Sequence, residues 1–232
     1  FLAGSAGLSG GTDNVIIGDN AGYAMTASDN NVVIGAEALR YATTDAHNNI
    51  AIGSSAMGGN WTTADVNNCT VIGYSAMSGV LQTGASGNVA IGYNSLGNIT
   101  SGGGNTGIGF DTGSTNQTGA NNTYVGYQSG KGGSGSESNN TAVGKDALLD
   151  ITDGEMNVAI GATAGDNLTT GDSNVFVGRD CASETADIDK SVFIGAAALA
   201  DGAADNNADG TIGIGYEALK TLTEGGFNIA IG

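Results

Sequence analysis

The stretch Asn157-Val158-Ala159-Ile160-Gly161-Ala162-Thr163-Ala164 decides the fold, because edited copies of it run through the chain. Its glycine recurs at Gly18, Gly35, Gly53, Gly73, Gly92, Gly109, Gly126, Gly144, Gly161, Gly178, Gly195, Gly215 and Gly232. Successive glycines lie 17 to 20 residues apart, which makes thirteen copies of one unit. A unit repeated at a period near 20 residues marks a solenoid, in which neighbouring copies stack to bury a continuous core.

Reading outward from the glycine, each column asks for one local structure. The residue before it is Ile in ten copies and Val in three, Val125, Val143 and Val177. The residue three before it is β-branched in all thirteen, as in Val15, Thr70, Val158 and Ile212. Two β-branched positions spaced by two share one face of a β-strand, and no helical spacing is present. The expectation is that these two columns fill the interior of their own coil.

The residue between them reads Ile16, Val33, Ala51, Val71, Ala90, Gly107, Tyr124, Ala142, Ala159, Phe176, Phe193, Gly213 and Ala230. None is charged, so the strand is apolar on both faces, and both faces are expected to be covered. On this reading the middle column points outward and packs against a partner. Ile16, Val33, Val71, Tyr124, Phe176 and Phe193 are then the interface residues.

Four before the glycine stands Asn in ten copies, replaced by Cys69, Ser191 and Thr211. Asn tolerates a left-handed corner, and stacked Asn side chains can form a ladder. Three after the glycine the side chain is small, as in Ala21, Ala147, Ser95, Thr112 and Cys181, which suits a narrow interior. The rest of each unit is a polar loop such as Leu168-Thr169-Thr170-Gly171-Asp172, and it takes up the variation in repeat length.

Composition sets the outer bounds. Proline is absent, as a stack of parallel strands with most N–H groups paired requires. Glycine is abundant without a three-residue period, which excludes collagen. Against 23 acidic residues stand 6 basic ones, so no basic patch is available for a nucleic-acid backbone. No run reaches the ~18 apolar residues of a membrane helix, so no membrane insertion is expected in this segment. Cys69 and Cys181 lie six coils apart, roughly 29 Å at ~4.8 Å per coil, and are expected to stay free. Residues 1–13 read as an incomplete first coil and residues 14–232 as a single repeat array. The chain begins at Phe1 and stops in mid-motif, and reads as a piece of a longer protein.

Chemistry is not visible in the sequence. His47 is the one histidine, on a variable loop with no carboxylate at a fixed spacing. Gly107-Ile108-Gly109 and Gly213-Ile214-Gly215 lie within strands and precede no helix, so they are not dinucleotide loops. The Asp column of calcium-binding β-roll repeats is missing. No enzyme, cofactor or metal site is expected.

The unit Asn-[Val/Thr]-Ala-[Ile/Val]-Gly-x-x-Ala resembles the head repeat of bacterial trimeric autotransporter adhesins and repeats in phage tail-fibre proteins. The resemblance covers residues 14–232, with longer coils than the adhesin heads have. It implies an all-β, left-handed parallel β-roll or β-solenoid of about 13 coils, with three chains packed around one axis. It also implies a structural and adhesive role: an extracellular fibre segment, on a virion or a bacterial cell surface. Such a segment presents a tip for host attachment or binds a host-surface glycan or matrix. A β-solenoid ice-binding protein is the alternative, because Thr recurs eight residues after the motif glycine at Thr26, Thr43, Thr100, Thr152, Thr169 and Thr223. A polysaccharide lyase would need a paired carboxylate column, which is missing.

Overall fold

The structure is a computed structural model that describes residues 11–42, 45–61, 64–133, 135–202 and 204–232, without the side chain of Asn206. Most of the expected first coil (residues 1–10), Thr43 and Ser134 lie outside the described residues. The chain forms two compact units, Phe1–Asn121 and Asn122–Gly232.

The first unit carries β1 (Val15–Ile17), β2 (Val32–Ile34), β3 (Ile50–Ile52), β4 (Thr70–Ile72), β5 (Val89–Ile91) and β6 (Thr106–Ile108). The second carries β7 (Thr123–Val125), β8 (Thr141–Val143), β9 (Val158–Ile160), β10 (Val175–Val177), β11 (Val192–Ile194), β12 (Ile212–Ile214) and β13 (Ile229–Ile231). Within each unit every strand pairs in parallel with the same strand of the next coil, in register. Val158, Ala159 and Ile160, for example, lie beside Val175, Phe176 and Val177. Among the described residues the one helical element is the short 3-10 turn Asn206–Ala208. The parallel β-solenoid expected from the repeat is therefore the fold.

The motif glycine is required by the stacking itself. At Gly161 φ is +141°, and a Cβ placed there would lie 2.3 Å from the Gly178 carbonyl oxygen in the next coil. No L side chain fits a backbone that close.

The Asn column forms the expected ladder, but the corner conformation sits one residue earlier. Asn30, Asn48, Asn121 and Asn139 hold φ near +60°, whereas the ladder residues that follow them are not left-handed. Each ladder side chain serves the next coil. Asn140 N–H donates to Asn122 Oδ1 at 2.9 Å, Asn157 N–H to Asn140 Oδ1 at 2.8 Å, and Asn174 N–H to Asn157 Oδ1 at 3.0 Å. Buried backbone groups must find partners somewhere, and this column supplies them where no strand does.

The orientation of the strand is the reverse of the sequence expectation. Val33, Val71, Tyr124, Phe176 and Phe193 are fully buried within the single chain, and Ile16 packs against the core of the first unit. The flanking Val and Ile side chains point outward and are half-buried to exposed. The middle column is therefore the lining of the coil and not an outer interface. The physical reason is volume. The coil is narrow, and the rings of Tyr124 and Phe176 fill space that a glycine leaves open. A Cβ on Gly130 would lie 2.4 Å from the Tyr124 ring, and one on Gly165 would lie 2.7 Å from Phe176. The small Ala142 is accompanied by the large Leu148, both buried in the core of the second unit. In a close-packed interior a side chain on one wall fills the space that a glycine on the other leaves.

Candidate functional site: the outward sheet face

Each strand places two β-branched side chains on the outer face, and in-register stacking turns them into two columns per unit. In the first unit Val15, Ile17, Ile50, Ile72 and Ile108 are each more than a third exposed. In the second unit the same holds for Val143, Ile160 and Ile194, with Val158, Val175, Val177 and Val192 half-buried beside them. Thr70, Thr106, Thr123 and Thr141 are the polar members, and their methyl groups keep the columns β-branched. Together the columns form an apolar face on the outside of each unit's coil.

An aromatic row borders it in the first unit. Tyr74, Tyr93 and Phe110 each follow the motif glycine and are about half exposed. Their rings stack at centroid distances of 5.6 Å and 4.9 Å. In the second unit Tyr127 takes the same position, with the Lys145 ammonium 6.0 Å above its ring. The sequence reading missed this row, although the recurrence of aromatics one residue after Gly73, Gly92, Gly109 and Gly126 was there to see.

The loop acids serve the coil more than any ligand. Asp172 Oδ1 accepts from Glu155 N–H at 2.7 Å, Asp189 Oδ1 from Asp172 N–H at 2.8 Å, and Asp209 Oδ1 from Asp189 N–H at 2.8 Å. Burial, reinforced by Asp150, Asp180 and Asp146, pushes the Asp166 carboxyl up to about 6. Among the described residues no three His, Cys, Asp or Glu side chains come together as a metal site, and no pocket opens. His47 Nδ1 accepts from Asp29 N–H at 3.1 Å and lies 3.5 Å from the Asp29 carboxylate. Three members of the Thr column bond to the next coil. The hydroxyls of Thr100, Thr152 and Thr169 donate to Gln117, Thr169 and Ala186 carbonyls at 2.8, 3.0 and 2.8 Å.

Comparison with known proteins adds no relative: no protein-family model, no curated protein and no solved structure matches this chain.

Proposed function

We propose that this chain is a segment of an extracellular fibre, of the kind built into phage tail fibres and bacterial surface adhesins. Its coils assemble as a homotrimer through the outward Val/Ile face. The assembled fibre holds a binding tip away from the virion or cell, or binds a host-surface glycan or matrix along its side.

The observation that carries the reading is the pair of β-branched columns left outside a coil whose interior is already full. Covering apolar surface is worth about 25 cal/mol per Å², so a few hundred Å² amounts to several kcal/mol per chain. The columns are apolar and in register, which suits a second copy of the same face. The number three comes from the adhesin-head resemblance of the repeat. The acidic surface, with net charge −17, supports a fibre that associates through this one face and repels its neighbours elsewhere.

Light scattering on the purified chain and on an Ile160→Asp, Ile194→Asp variant tests the reading. Both side chains are more than a third exposed in the single chain, so charge there leaves the coil interior intact. The wild type should have the mass of three chains, and the variant should keep its β-sheet circular dichroism but fall to one chain. A monomeric wild type, or a variant that assembles unchanged, refutes it.

A further inference from the structure

The aromatic row of the first unit is not something the coil needs. Tyr74, Tyr93 and Phe110 each follow the motif glycine of successive coils. The same position in the first unit also holds Asp19, Ala36 and Ser54, and the strands of those coils pair in the same parallel register. Stacking does not hide the rings either. Their planes are 11° and 8° from parallel, yet the three residues stay 56, 49 and 44% exposed. An exposed apolar strip that the fold does not require points to a ligand.

The spacing narrows the class of that ligand. The ring centroids advance by 5.6 and then 4.9 Å, close to the advance of one hexose in an extended β-1,4-linked chain. Successive sugars of such a chain meet successive rings. The C–H side of a sugar packs on an aromatic ring, and the Tyr74 and Tyr93 hydroxyls can bond its hydroxyl groups. No pocket opens among the described residues, so a small molecule would be held from one side only. A polymer can lie along all three rings and needs no closed pocket, which would not admit it in mid-chain.

Charge selects among such polymers. Arg40 is the single basic residue of the first unit, and its guanidinium lies 2.6 Å from the Glu37 carboxylate. The charged residue next to the row is an acid, Asp111, whose Oδ1 accepts from Asn94 Nδ2 at 2.6 Å. The first unit has no second basic side chain to hold a sulfate or carboxylate, and a net charge of −17 repels one.

We propose that Tyr74, Tyr93 and Phe110 form a binding strip for an extended, uncharged, β-1,4-linked hexose chain, with one sugar on each ring. The strip supplies a ligand class for the side-on glycan binding proposed above and rests on that reading for its setting; the contact itself needs no trimer.

Calorimetric titration of the purified chain with cellohexaose tests the strip, with cellobiose and a hyaluronan hexasaccharide as comparators. Cellohexaose should bind, cellobiose should bind about tenfold more weakly because it spans two rings at most, and the anionic hyaluronan should bind weakest. Tyr93→Ser copies the residue at Ser54, so it should keep the wild-type circular dichroism and mass while binding cellohexaose about tenfold more weakly. Light scattering reads the assembly separately: a monomeric wild type that still binds cellohexaose refutes the trimer and leaves the strip standing. A wild type that does not bind cellohexaose, hyaluronan bound as tightly, or unchanged affinity in Tyr93→Ser overturns the inference. So does a lower mass for Tyr93→Ser, because a second copy then covers the row.

Discussion

Replacing Asn157 with Ala removes one rung of the Asn ladder at a fully buried site. The Asn157 Oδ1 accepts from both the backbone N–H and the side-chain amide of Asn174, each at 3.0 Å. Its Nδ2 donates to the Gly171 carbonyl at 2.7 Å. Alanine leaves the Asn174 N–H without an acceptor and the Gly171 C=O without this donor. Each orphaned buried group costs about 1–3 kcal/mol, so the coil should lose roughly 2–6 kcal/mol. The chain contains its own control at Ser191, whose Oγ accepts from Thr211 N–H at 3.2 Å. Serine at position 157 should therefore keep the acceptor for Asn174 and cost about half as much as alanine. Because a repeat array opens locally, the assay is exchange at the Asn174 amide, with denaturant unfolding alongside. An alanine variant that exchanges like wild type, or a serine variant as damaged as alanine, refutes the ladder as a source of stability.

Gly161→Ala should unfold its coil, because the new Cβ meets the Gly178 carbonyl at 2.3 Å and φ is positive. The same change at Gly232, where nothing lies within 4 Å, should cost much less; equal melting temperatures for the two variants would contradict this. Both cysteines should react slowly with maleimide at pH 8 until denaturant is added. Both are buried, and burial pushes the Cys69 thiol up to about 11 and the Cys181 thiol up to about 12; fast native labelling of either would count against the interior assignment.

The repeat made the coil, the parallel register and the ladder legible, because each depends on one residue type at one fixed offset. The facing of the strand is not legible from the residue types alone. β-Branched residues throughout the columns beside Ala159 or Phe176 suggest a core, yet two coils mark the true interior by compensation. Tyr124 with Gly130, and Ile16 with Gly22, conserve volume across the coil, whereas the outward columns have nothing opposite them to compensate. The left-handed corner was placed one residue late, because Asn residues occupy both the corner and the ladder position in several coils, as in Asn48-Asn49 and Asn139-Asn140.

The central claim is that the outward Val/Ile face is covered in the assembled protein by copies of itself. Thiol accessibility at that face tests it most directly. In a Cys69→Ala, Cys181→Ala background, single cysteines replace Ile160 on the outward column and Thr170 on an exposed loop. The account predicts that, in the native protein, the cysteine at 170 labels at the rate of a free thiol. The one at 160 should label much more slowly and become fast once Ile194→Asp dissociates the assembly. Equal rates at the two positions in the native protein would contradict it.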